Sequence, residues 1–206
     1  MIELHTGNTS NGQRASIILE ECGLAYRLHK YDLFKNEHRN NPEFMAIAPA
    51  GAIPVIVDPD GPGGKPLVLS QSCAILVYLA QKSGKFLPED MAARIASMEW
   101  TMQAASDVSS ASGGVFFNMA LLPEKSEANG KWLLERLLKQ FGDCNRRLAD
   151  RDYLAGELSV ADFALYPVYA VRKKLIDEAG NLAHLTKWGE RMAARPGVQR
   201  GMQAAA

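Results

Sequence analysis

The spacing of apolar positions changes once along the chain. Up to Gly84, short apolar runs alternate with helix-length segments; from Met91 onward, apolar residues recur only at helical spacing. Residues 2–5 read as a strand. After a polar loop, a helix carries Ala15, Ile18, Leu19 and Cys22 on its inner face and stops at Gly23. Residues 26–32 alternate as a second strand. A strand, a helix-length crossover and a strand make a βαβ unit, whose strands pair in parallel with a right-handed connection. A loop and short helix through Pro42-Glu43-Phe44 follow. Residues 53–57 and 66–69 then form a hairpin across the turn-rich segment 58–64, and a helix with Ile75, Leu76 and Leu79 at core spacing ends at Gly84. The order is β-α-β followed by β-β-α.

The second part predicts helices only. Ile95, Met98 and Met102 share one helix face, and Leu134, Leu137, Leu138, Phe141 and Leu148 share another; Gly113-Gly114 marks a bend between them and Leu122-Pro123 a break. Ser159-Val160-Ala161-Asp162 fits a helix-starting Ser-x-x-Asp, in which the Ser oxygen accepts a backbone N–H and the acid suits the positive helix end. The change in pattern places a boundary at 85–90, between an α/β domain at 1–84 and an all-helical domain at 91–206. The tail 201–206 is expected to fray.

Composition narrows the function classes. Lys+Arg 23 against Asp+Glu 23 leaves no net charge, which removes the attraction a nucleic-acid or anionic-membrane binder depends on. No apolar run has the length of a membrane span, and the first residues lack the basic and apolar regions of a signal peptide, so a cytoplasmic protein is expected. The three cysteines, Cys22, Cys73 and Cys144, are far apart and form no CxxC pair, which argues against a disulfide framework and a zinc site. No metal is expected. If the protein performs sulfur chemistry, the sulfur comes from outside the chain.

Three polar features fall at strand ends or helix starts of the first domain, where α/β folds gather ligands. Asn8-Thr9-Ser10-Asn11-Gly12 opens the first helix. Its plain role is N-capping; its functional role would be to present a hydroxyl and an amide to an anion such as a thiolate at the positive helix end. Ile53-Pro54 opens a strand, either as an ordinary trans proline or as a cis bond whose preceding backbone groups pair with a peptide-like ligand. Ser70-Gln71-Ser72 heads another helix, where capping is again the default and receipt of a carboxylate the alternative.

Taken in this order and spacing, these segments resemble the glutathione transferase family over essentially the whole chain. The most specific pieces are Ile53-Pro54, Gln71-Ser72 with Ile75 and Tyr78-Leu79, and Ser159 to Asp162. Asn8-Thr9-Ser10-Asn11-Gly12, with Leu19-Glu20-Glu21 and Tyr26-Arg27-Leu28, is similar to the bacterial Nu-class (Ure2-like) members. The resemblance implies a thioredoxin-like N-terminal domain, an all-α C-terminal domain, a homodimer, glutathione as cosubstrate and disulfide-bond reduction without a protein cysteine. It further implies that the Thr9 hydroxyl donates to the glutathione sulfur with Asn11 beside it. Ile53 would pair with the cysteinyl backbone ahead of a cis Pro54, and Gln71 and Ser72 would take the γ-glutamyl carboxylate. Two positions depart from the family pattern. Ala52 stands where many members carry Lys or Arg for the glycyl carboxylate, and His38 or Arg39 is the expected substitute; Gln71 replaces the commoner Glu.

Such a site needs modest physics. A thiol of pKa near 8.5 is about 3% ionised at pH 7, and bringing it to half ionisation takes about 2 kcal/mol, within reach of one hydroxyl donor and a helix terminus. A thiolate so formed attacks either a disulfide or an electrophilic carbon, and a small hydrophobic electrophile is the alternative second substrate. It would lie between the domains against Met102, Phe116, Phe117 and Met119, with Tyr166, Tyr169 and Arg172 as polar additions, unless these side chains are plain packing. A non-catalytic binding module on the same fold is the rival class, favoured by Ala52.

Overall fold

The computed structural model describes residues 1–206. In chain order the elements are β1 (Ile2–Thr6), α1 (Ser10–Cys22), β2 (Tyr26–Lys30), α2 (Pro42–Ile47), β3 (Val55–Asp58), β4 (Leu67–Ser70) and α3 (Ser72–Ser83). They continue with α4 (Met91–Gln103), α5 (Ser109–Phe116), α6 (Glu127–Arg147), α7 (Val160–Ala179), α8 (Ala183–Ala193) and α9 (Pro196–Ala205). Contacts divide the chain into two compact units, Met1–Leu87 with Ala193–Ala206, and Pro88–Met192.

The first unit is built on a four-stranded sheet of order β2-β1-β3-β4. β1 and β2 pair in parallel, as the helical crossover requires, and the β3–β4 hairpin adds antiparallel strands. Strand alternation divides the side chains. Leu4 and Ile56, fully buried, point toward the face covered by α1 and α3, while Val55 and His5 point to the other face, where Phe44 of α2 packs on them. Gly23 and Gly84 end α1 and α3 in the left-handed region, at φ 71 and 69, a conformation that costs glycine nothing.

The tail does not fray. Residues 196–205 form α9, which lies along α1, with Val198 and Ala205 fully buried. The backbone of Gly201 approaches so closely that an added Cβ would lie 2.6 Å from the Ile17 nitrogen, and the Ser16 hydroxyl donates to the Gly201 carbonyl at 2.6 Å. Arg195 forks onto Glu21 at 3.0 and 2.6 Å, and Arg200 pairs with Glu20 at 2.7 Å. Consequently α1 buries Ser16 and Ile17 as well as the expected inner face, because a helix covers its far side.

In the second unit, α4, α5 and α7 pack together and α6 packs on α5. Gly113-Gly114 does not bend the chain. Both residues lie within α5, and a side chain at Gly114 would meet Leu133 of α6 at 2.8 Å, so this glycine permits close helix packing. Wide π-helical turns at Ala104–Val108 and Phe117–Leu121 flank α5 instead. The Ser159–Asp162 capping box forms at the start of α7. No helix is long and apolar enough to cross a membrane.

Candidate active site

Strand register gathers the three polar segments at one end of the sheet. His29, His5, Val55 and Ser70 lie in one row across the four strands. Beyond that row β1 leaves through Thr6 toward the 7–9 loop, β3 is entered from Pro54, and β4 exits into Gln71. Residues far apart in sequence therefore share an edge because of strand direction alone.

Thr9 is the N-cap of α1. Its backbone is extended (φ −142, ψ 157) and its Oγ1 accepts from the Gly12 N–H at 2.9 Å. That bond uses an oxygen lone pair and leaves the hydroxyl proton for a second partner, so capping and donation to an anion coexist in one side chain. Gly12 permits the tight turn: a Cβ there would collide with the Gly7 carbonyl and stand 3.3 Å from Thr9 Oγ1. Asn11 is exposed on the first turn.

The sequence reading missed Arg14. It is 1% exposed, and its Nη1 donates to Asn11 Oδ1 at 2.7 Å and to Ser72 Oγ at 3.2 Å, tying the first turn of α1 to the first turn of α3. Ser72 Oγ stands 3.4 Å from Asn11 Oδ1, closing the triangle. Burial pulls the guanidinium pKa below its ordinary value, but arginine keeps its proton, so a fixed positive charge lies beneath these polar groups. The signal was available, because Arg14 precedes Ile18 by one turn on the face that carries core residues.

Gln71 caps α3 with φ 72 and ψ 108, makes no side-chain cap bond and is exposed. A glutamine held at positive φ costs about 1–3 kcal/mol, a strain that collects at ligand sites. The Ile53–Pro54 peptide is cis. The β3–β4 ladder ends at Val55 and Ser70, so the Ile53 backbone lies beyond it, and Pro54 is buried.

His38 and Arg39 part company. His38 is 5% exposed, with its ring against Phe44 at 5.9 Å and Tyr31 at 6.4 Å; burial and the Arg39 charge lower its pKa. It is a core side chain. Arg39 is exposed and its Nε donates to the Gly51 carbonyl at 3.2 Å, which lays a cation along the turn that carries Ala52.

In the second unit Met102, Phe116, Phe117 and Met119 are exposed by 38 to 55%, so they are not core residues. Tyr166 and Tyr169 are, packed edge-on to Trp188 at 6.2 and 5.6 Å. Arg172 is committed to α5, donating to the Ser112 hydroxyl and carbonyl at 2.9 and 2.8 Å. Cys22 and Cys144 are buried; burial raises both thiols, Cys144 to about 12, which suits neither for nucleophilic work.

Comparison with known proteins agrees with the fold. Residues 10–82 match the model of the glutathione S-transferase N-terminal domain and residues 95–196 that of the C-terminal domain. The chain is 36% identical to the disulfide-bond oxidoreductase YfcG of Escherichia coli, over 98% of this chain and 94% of that protein. It superposes on a Pseudomonas putida glutathione transferase solved with one glutathione disulfide per subunit, at 32% identity and TM-score 0.91, covering 98% of this chain and 90% of that one. A Pseudomonas fluorescens family member solved with two glutathione molecules gives 33% identity and TM-score 0.89, covering 98% and 92%. With both domain models matched, the sheet order observed and a full-length relative above 30% identity, the chain belongs to the glutathione S-transferase family.

Proposed function

We propose that the protein is a glutathione-dependent disulfide-bond reductase of the Nu type, in which bound glutathione supplies the reactive sulfur. The observation that carries this reading is the Thr9 hydroxyl: its oxygen is engaged by Gly12, its proton is left for a thiolate, and it sits at the start of α1. Asn11 assists beside the sulfur. The Ile53 backbone pairs with the cysteinyl portion next to Pro54, Gln71 and Ser72 receive the γ-glutamyl carboxylate over the buried charge of Arg14, and Arg39 takes the glycyl carboxylate in place of the residue missing at Ala52. His38 supports that loop from the core.

In the reaction the thiolate attacks one sulfur of a disulfide, forming a mixed disulfide and expelling the other sulfur as thiolate. A second glutathione thiolate then attacks the glutathione sulfur of the mixed disulfide, giving oxidised glutathione and the second reduced thiol. The relatives solved with a glutathione disulfide or two glutathiones, and the relative named as a disulfide-bond oxidoreductase, favour this reaction over conjugation. Conjugation to a hydrophobic electrophile is the second reading, supported by the exposed Met102, Phe116, Phe117 and Met119. A cytoplasmic homodimer completes the proposal; the exposed Met91 and Ile95 on α4, one turn apart, are the apolar face offered to a second copy.

The test is turnover of a small mixed disulfide with glutathione. Thr9→Ala is expected to lower kcat/KM by about 10–100-fold, the worth of one hydrogen bond to a charged atom, while Thr9→Ser retains most of the rate. Equal rates for wild type and Thr9→Ala overturn the role of Thr9. Calorimetry showing no binding of reduced or oxidised glutathione overturns the enzyme and leaves the binding module.

A further inference from the structure

The sheet face that carries α2 holds a second chemical constellation, which the thiol chemistry does not use. His5 and His29 are register partners on β1 and β2, and their rings stack at 4.4 Å with an interplanar angle of 6°. Glu3, two residues before His5 on the same strand, points to the same face. Its Oε2 stands 3.4 Å from His29 Nε2 and 3.9 Å from His5 Nε2. One donor atom from each of the three residues lies within 4.8 Å of the others.

We propose that Glu3, His5 and His29 form a binding site for a divalent transition-metal ion, zinc by preference. Two imidazole nitrogens and one carboxylate oxygen are the donor set such ions select, in preference to calcium or magnesium. Donors bound at 2.0–2.2 Å in a tetrahedral arrangement stand about 3.4 Å apart, so the Glu3–His29 spacing already fits and the remaining donors close by side-chain rotation. The stacked rings splay to bring both Nε2 atoms onto one ion.

Three further observations point the same way. His29 Nε2 is sealed from solvent and makes no hydrogen bond; it faces the Glu3 oxygen at 3.4 Å, so its lone pair is free to take a metal. His5 Nδ1 lies 2.9 Å from the Tyr31 hydroxyl. With the Nδ1 proton donated to that oxygen, Nε2 is left as the ligand, the outer-partner arrangement that orients metal-bound histidines. Arg27 approaches Glu3 through Oε1, at 3.8 Å, and leaves Oε2 to the histidines. Because β2 is the edge strand, a bound ion would pin it to β1. The site lies on the sheet face opposite α1, separate from the Thr9 hydroxyl.

The test titrates the full chain with zinc chloride in a non-coordinating buffer, followed by calorimetry and thermal unfolding. Wild type is expected to bind one ion per chain and to unfold at a higher temperature in its presence. Glu3→Gln and His29→Gln, both at part-exposed positions, are each expected to weaken binding at least roughly tenfold and to lose most of the thermal shift. Cobalt(II) is expected to bind with no thiolate charge-transfer band. Absence of saturable zinc binding, wild-type affinity in either variant, or a thiolate band overturns the proposal. Should His29→Gln fail to fold by circular dichroism, Glu3→Gln carries the decision.

Discussion

Arg14 and Asp162 are both ionisable, both buried and both near the start of a helix, yet they reach different kinds of partner. Asp162 spends its acceptors on its own surroundings: the Ser159 N–H at 3.0 Å, the Leu154 N–H at 3.1 Å and the Trp188 indole at 2.9 Å. Its partners are buried backbone and core, so its charge is converted into architecture. Arg14 reaches Asn11 and Ser72, at the edge where the polar segments converge. Burial alone therefore does not separate these two charges; the location of their partners does, and under the proposed function it puts Arg14 beneath the glutathione site.

The comparison breaks most visibly at Asp162. Asp162→Ala leaves four buried donors, the Ser159 hydroxyl among them, without this acceptor and is expected to cost about 3–5 kcal/mol by chemical denaturation, with activity per folded molecule retained. Burial also pushes this carboxyl up to about 6 from an ordinary 3.8, against the hydrogen bonds that lower it. The native state thus holds the proton more tightly than the unfolded chain. The stability this group confers is complete below 3.8 and is lost as pH rises through about 6, so the advantage of wild type over Asp162→Asn shrinks across that window. A widening advantage would reverse the argument.

Arg14→Met is expected to do the opposite of Asp162→Ala. An apolar replacement of similar reach spares much of the fold, while calorimetry shows glutathione bound about 10–100-fold more weakly, as the charge beneath Ser72 is lost. If affinity holds and stability collapses, Arg14 is a structural charge after all. Gln71→Gly sharpens the point on a smaller scale. Relief of the positive φ raises stability by about 1 kcal/mol, and loss of the side chain raises KM for glutathione. The smallest effect falls at exposed Arg39, where Arg39→Ala is expected to raise KM for glutathione about three- to fivefold with kcat unchanged, in keeping with a screened surface charge.

Much of the first domain was legible in its sequence. Gly23 and Gly84 mark helix ends wherever they occur, and the alternation at residues 53–57 and 66–69 announces a hairpin whatever surrounds it. The capping role of Thr9 was legible for the same reason, since it caps α1 through a partner three residues away. Arg14 was not read, because its meaning depends on Ser72, 58 residues further on. The sequence offered His38 and Arg39 as equal substitutes for the residue missing at Ala52 and could not separate them, because only the packing of α2 puts Phe44 and Tyr31 against His38. Gly113-Gly114 suggested a bend; the observed role, close packing on Leu133, belongs to a neighbouring helix that no local pattern names.

What the sequence by itself determined is whatever forces act within a few residues: helix starts and stops, strand alternation, and the capping box at Ser159 and Asp162. Tertiary structure alone decided the cis state of Ile53–Pro54, the meeting of His5 with His29, and the docking of α9, whose Gly201 carbonyl is met by Ser16 from 185 residues away. The physical reason is range. A cap or a period is set by neighbours along the chain, whereas a buried charge, a register row or a docked helix takes its free energy from groups that only the completed fold brings within a few ångströms.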